Sequence, residues 1–314
     1  MKKVLIFLVV VSLSLVSCSQ KSSENIEWIP FSWTSFTLSG KNIEKASMNI
    51  PVTIDELPYK FTVQFDLGAY SCFYGNSLKP FLEEYPLLKN KLDTTKQVWI
   101  NGVSGNLVLK NINLRLGDVI FEENDVGLFI NFGTEHSLDT INYETEVHIG
   151  TIGADFVQNK VLIIDYKSNR LALTDTVPSE YQNISFEPFK IDRGRIKIPF
   201  RINGNIEHLM FDTGSSIFSL VTTKQNALAI GGTEIVDSLN VPSWGELIPF
   251  YGLKTVVPIM FGNKTMESSI VYYNEDPSWD NFYKSEKMWG LTGNAYFFNN
   301  LIIIDYKNNR IGVK

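Results

Sequence analysis

One segment of this 314-residue chain occurs twice. Gly150 to Leu171 aligns with Gly290 to Ile311 at an offset of 140 residues, and ten of the 22 positions are identical. The identities include Gly150 and Gly153 against Gly290 and Gly293. They also include Ile163 to Lys167 against Ile303 to Lys307, a five-residue run that chance does not place twice in one chain. Two copies make a duplicated fold, whereas a solenoid needs more. The repeat continues upstream at an offset of 146, where Phe61 to Ala69 faces Ile206 to Ser215. Each half therefore runs from an alternating strand into Phe-Asp-X-Gly, then through further strands to Gly-X-X-Gly. Each ends on an apolar strand. Whatever one half folds into, the other must match.

The pattern within each half predicts an all-β protein. Ile50 to Phe65 and Ile196 to Phe211 read as hairpins turning near Asp55-Glu56 and Asn203-Gly204. Val98–Ile100, Leu107–Leu116, Val119–Phe121, Leu253–Met260 and Ser269–Tyr273 alternate as strands. Ile163-Ile164 and Ile302 to Ile304 are continuous apolar runs, as strands covered on both faces require. Helix is scarce: Leu78 to Leu92, interrupted by Pro86, and a short stretch over Thr222 to Ala229.

The chain's start reads as an export signal. Lys2 and Lys3 precede an apolar run, Val4 to Val16, too short to span a bilayer. Leu15-Val-Ser-Cys18 resembles a bacterial lipobox, which implies lipidation at Cys18, and Ser19 beside it points to the outer membrane. The expected divisions are a signal over 1–17 and lipidated Cys18 with a tether over 18–44. An N-terminal lobe then covers 45–177, a connection 178–194 and a C-terminal lobe 195–314. Removal of the signal leaves one thiol, Cys72, expected to be a buried small hydrophobe.

Composition narrows the chemistry. The net charge is −6 with no Lys/Arg-rich block, so no nucleic-acid partner is expected. Three His and two Cys leave no room for a His/Cys metal cluster, and no metal or cofactor is expected. Carboxylates, hydroxyls and amides remain. The Phe-Asp-X-Gly loops supply carboxylates at matching places: Phe211 anchors the strand, Asp212 stands at its end, and Gly214 permits a tight loop or a close approach.

Phe211-Asp-Thr-Gly-Ser-Ser216 resembles the active-site motif of the pepsin-like and retroviral-type aspartic proteases. Phe65-Asp-Leu-Gly-Ala69 matches it except at Leu67, where the family carries a hydroxyl residue that braces the opposite loop. Thr151-Ile-Gly153 and Leu291-Thr-Gly293 resemble the element that underlies each loop, and Phe297 to Val313 the closing strand pair. Trp99 to Leu107, with Gly102, Ser104 and Gly105, resembles the flap hairpin. The resemblance covers roughly residues 45 to 314. It implies two pseudo-symmetric β-barrel lobes with the site in the cleft between them, and Asp66 and Asp212 as the catalytic pair. Gly68, Ala69, Thr213, Gly214 and Ser215 would support the loops, with Gly153 and Gly293 beneath. The implied activity is an aspartic-type endopeptidase acting on a polypeptide, monomeric and held to the membrane by its N-terminal lipid. Leu67 motivates the alternative, a catalytically lapsed peptide- or ligand-binding lipoprotein on the same fold.

Overall fold

The computed structural model describes residues 26–267 and 269–314. The signal and Cys18 lie outside the described residues. The protein is all-β in character, with 52% strand and 15% helix. No helix among the described residues is long and apolar enough to cross a membrane.

Two large sheets repeat one design. In the first half, Lys60–Phe65 pairs antiparallel with Lys41–Ile54 and parallel with Glu146–Ile152. In the second, Asn205–Phe211 pairs antiparallel with Arg195–Ile202 and parallel with Gly290–Thr292. A short strand beyond each Asp loop repeats the match. Cys72–Tyr74 runs antiparallel to Glu146–Ile152 and parallel to Val119–Phe129. Leu220–Thr222 runs antiparallel to Gly290–Thr292 and parallel to Ile270–Tyr273. Alternation decides the faces: Ala46, Met48, Ile50, Val52 and Ile54 all point inward from Lys41–Ile54.

A third, six-stranded sheet draws on both halves. Its centre is the repeat itself, Val161–Asp165 antiparallel to Leu301–Asp305 with Ile163 opposite Ile303. These are corresponding positions of the two copies, so the pairing is self-complementary about a local twofold. Ile163, Ile164, Ile303 and Ile304 are fully buried, which explains their unbroken apolar run. Asp165 and Asp305 close their hairpins, each accepting from the Nε of an arginine five residues on, Arg170 and Arg310.

Several boundaries differ from the sequence reading. The stretch expected as tether is strand from Ile29: Ile29–Pro30 edges the shared sheet, and Ser32–Leu38 pairs with Lys41–Ile54. Its Ser/Thr-rich composition hid this, since only Leu38 of Ser32–Leu38 is buried. The connection expected over 178–194 supplies the opposite edge of the same sheet through Phe186–Pro188. Leu253 to Met260 is two strands, Glu246–Thr255 and Ile259–Phe261, because Pro258 between them has no N–H to continue the ladder. Two larger elements have no counterpart in that reading. Gly231–Ser243 forms a long hairpin with Glu246–Thr255, and Pro277–Ser285 is a helix capped by Asp276. The two expected helical stretches form with shifted bounds, as Gly75–Glu84 with Pro86–Lys89 and as Lys224–Ile230, while Leu92 and Thr222 at their expected ends are strand.

Candidate active site

The two Asp loops are built alike, bond for bond. Asp66 N–H donates to the Ile152 carbonyl at 2.9 Å, and Asp212 N–H to the Thr292 carbonyl at 2.9 Å. Gly68 N–H donates to Asp66 Oδ1 at 2.9 Å, and Gly214 N–H to Asp212 Oδ1 at 2.8 Å. Ala69 and Ser215 N–H groups close the turns onto the Asp66 and Asp212 carbonyls at 3.2 and 3.1 Å. Each aspartate is thus fixed by its own loop before anything else touches it.

The glycines of both motifs are there because backbone or carboxyl atoms press on them. A Cβ on Gly68 would stand 2.4 Å from Asp212 Cγ, and one on Gly214 would stand 2.4 Å from Asp66 Cγ. Each loop's glycine therefore makes room for the other loop's carboxyl. Beneath, a Cβ on Gly153 would meet the Ala69 carbonyl oxygen at 2.1 Å, and one on Gly293 the Ser215 oxygen at 1.5 Å. Gly150 and Gly290 are equally confined, by the carbonyls of Cys72 and Val221. None of these six needs a positive φ; close approach is the whole reason.

The carboxyls of Asp66 and Asp212 each pack against the other loop's glycine, and both line the same cavities. Burial is the main cause that pushes the Asp66 carboxyl well above the usual carboxylate range. The charge of Asp212 and the hydrogen bond that the protonated Asp66 carboxyl donates to it add to this, against the pull of the Gly68 and Ala69 N–H groups. Two carboxyls in such contact hold one proton between them, and the proton belongs to the pair.

The brace between the loops is one-sided. Thr213 Oγ1 donates to the Phe65 carbonyl at 2.8 Å and accepts from Leu67 N–H at 2.9 Å. Leu67 is fully buried and has no hydroxyl to return the pair. Thr213→Val should leave two buried backbone groups without partners, at a cost of about 2 kcal/mol or more. Chemical denaturation of the variant measures this. Beyond Gly293, Asn294 Nδ2 donates to the Thr213 carbonyl and to Ser216 Oγ, each at 2.7 Å. Its position in the first copy is occupied by Ala154, which has no such donor.

The hairpin assigned to Trp99, Gly102, Ser104 and Gly105 is present as Leu92–Ile100 with Val103–Leu116. Asn101 and Gly102 make its turn at positive φ, and Gly105 is also at positive φ, in open space. Trp99 is 74% exposed and lines a cavity of about 290 Å³ with Gly68 and Arg195. Ser104 stands exposed near the tip. The unread hairpin of the second half reaches the same place with its own turn, Trp244-Gly245, also at positive φ. One cavity of about 430 Å³ is bounded by Asp66, Asp212, Asn101, Val103 and Trp244 together. The legible signal was Trp244-Gly245 between two alternating runs, the counterpart of Asn101-Gly102.

Aromatic residues without any motif complete the surroundings. Tyr74, Phe132, Phe218, Phe250 and Trp279 line a second cavity of about 240 Å³ that also touches both aspartates. Cys72 is buried, as its neighbour Phe73 suggested, and its thiol is pushed up to about 12 by burial and nearby carboxylates. It is therefore unsuited to nucleophilic chemistry. No family model matches this chain, and no match to it was found among curated proteins.

Proposed function

We propose that the protein is an aspartic-type endopeptidase, with two pepsin/retropepsin-like lobes and its site in the cleft between them. The observation that carries this reading is that Asp66 and Asp212, on two loops with matching backbone hydrogen bonds, each pack against the other loop's glycine and line one cavity. In the proposed reaction a water lies between the carboxyls. The ionised one takes a proton from the water as its oxygen bonds to the peptide carbonyl carbon, while the protonated one gives its proton to the carbonyl oxygen. The tetrahedral diol then collapses. As the C–N bond breaks, the protonated carboxyl gives its proton to the leaving nitrogen, one diol hydroxyl gives its proton to the ionised carboxyl and becomes the product carbonyl, and the pair is again singly protonated. The hairpins turning at Asn101-Gly102 and Trp244-Gly245 would cover an extended polypeptide and shield the intermediate from water.

The reading includes anchoring in a bacterial envelope through a lipid on Cys18, on the sequence evidence alone. A monomer suffices, since one chain supplies both aspartates. A second reading, a ligand-binding protein that has lost turnover, draws its support from Leu67. The two separate on one measurement: hydrolysis of an unfolded polypeptide by residues 26–314. Activity should follow a bell in pH, because one proton on the pair is required and two or none disable it. Binding of the polypeptide without any cleavage would favour the second reading.

Stability carries the same signature. The folded state holds the Asp66 proton at pH values where the unfolded chain, with an ordinary carboxyl near ~3.9, has lost it. Its contribution is complete below the unfolded value and is lost as pH rises through the folded one. Urea midpoints measured against pH should therefore decline across that window. The decline should be shallower in Asp66→Asn, which has no proton to lose.

A further inference from the structure

We propose that Arg195 is a positioning residue for the Asp66 loop, supplying from the second half a hold in place of one that Ala154 does not give. The inference rests on the dyad reading above. Thr213 braces the first loop, but that loop lacks a prop that the second has: Ala154 stands where Asn294 holds the Thr213 carbonyl in the other copy. At this loop Arg195 Nε donates to the Gly68 carbonyl at 2.8 Å. That carbonyl shares its peptide plane with Ala69 N–H, which bonds to the Asp66 carbonyl. The plane is thereby held at both ends. The same residue, Gly68, carries the N–H that grips Asp66 Oδ1 and the bare Cα that Asp212 packs against.

The guanidinium is itself held. Its Nη1 lies 3.4 Å from Oε1 of Glu286, a carboxylate only 4% exposed. Arg193 Nη1 reaches the same oxygen at 3.2 Å, and buried Lys197 donates to the Glu286 carbonyl and pairs with Asp192. Tyr70 closes one side, its ring 5.8 Å from the Arg195 carbon and its hydroxyl donating to the Arg193 carbonyl. A planar donor fixed this way loses little further entropy in holding Gly68. A neutral amide or a shorter cation would lack that preorganisation. The brace also crosses from one half to the other, so it holds Asp66 in register with Asp212.

The test is a double-mutant cycle between Arg195 and Ala154. Arg195→Met should lower kcat by tenfold to about a hundredfold, the cost of a dyad displaced by a fraction of an ångström to ~1 Å, with KM changed less than about threefold. Amide hydrogen exchange at Gly68 and Ala69 should quicken, while Gly214 and Ser215 stay as they were. In an Ala154→Asn background, where an amide at the position of Asn294 supplies the first loop with the missing hold, the same Arg195→Met change should cost only a few-fold. Arg195→Gln keeps a side-chain N–H beside the Gly68 carbonyl and should recover part of both kcat and protection. Arg193 and Lys197 still face Glu286 in every variant, and thermal midpoints check that folding is intact. Equal kcat and equal exchange in Arg195→Met and the parent would overturn the proposal. So would an Arg195→Met penalty of the same size in both backgrounds. If the parent cleaves no polypeptide, the protease reading fails alone, because the exchange comparison still decides the brace.

Discussion

Asp212→Asn should reduce peptide hydrolysis by on the order of 10⁴-fold or more, with the fold and its thermal midpoint kept. The asparagine side chain fills the same space and can still accept from Gly214 N–H, as Asp212 Oδ1 does at 2.8 Å. What it cannot do is give or take the shared proton. Asp66→Asn should be as damaging to turnover, since the pair acts as a unit and losing either member removes it. The two variants should differ in stability: Asp66 is the buried member, 8% exposed, and its amide replacement no longer titrates. Substrate held by Asp212→Asn should still bind, so a binding measurement beside the rate separates lost chemistry from a lost site. Full activity in both variants would sink the protease reading.

Gly293→Ala should be the most destructive single methyl in the chain. Its Cβ would stand 1.5 Å from the Ser215 carbonyl oxygen, which is backbone and cannot swing aside. Either the second loop or the Gly290–Thr292 strand beneath it has to shift, and both position Asp212 through the 2.9 Å bond from its N–H to the Thr292 carbonyl. The expected loss exceeds about 4 kcal/mol, beyond the range of ordinary overpacking. Gly232→Ala is the control. Its Cβ would meet nothing nearer than 4.0 Å, and its φ is not positive, so its midpoint should stay close to the parent's. Chemical denaturation of the two variants side by side checks the contrast. A Gly293→Ala midpoint equal to that of Gly232→Ala would show that the underlying strand does not confine the loop.

The residues that were legible share one property: their reason is local and occurs twice. Phe65-Asp66 and Phe211-Asp212 end strands at corresponding places, so the repeat, with the Phe-Asp-X-Gly loop that sets this pair apart from the other recurring pair, Asp165 and Asp305, narrows 34 acidic residues to two. The same holds for Gly153 and Gly293. Their recurrence with Gly150 and Gly290 showed that something excludes a side chain there, and in the structure that something is a neighbouring carbonyl. The apolar runs around Ile163 and Ile303 were readable because burial on both faces leaves no alternation to decipher.

Residues that act across the molecule were not legible. Arg195 looks in sequence like any basic residue opening a strand; its bond to Gly68 spans 127 positions. The aromatic wall of Tyr74, Phe132, Phe218, Phe250 and Trp279 carries no spacing rule, because its members converge from separate elements. The stretch before residue 45 went unread because an edge strand with one covered face needs few apolar residues.

The sequence by itself determined the duplication, the all-β character and the two aspartates, since hydrophobic period and recurrence are properties of the chain order. Only the tertiary structure decided that the two carboxyls meet, which glycines make room for them, and which side chains from the far half hold each loop. Those depend on the pairing of Ile163 with Ile303 in the shared sheet. That pairing brings together loops lying 146 residues apart, a distance over which no local pattern carries information.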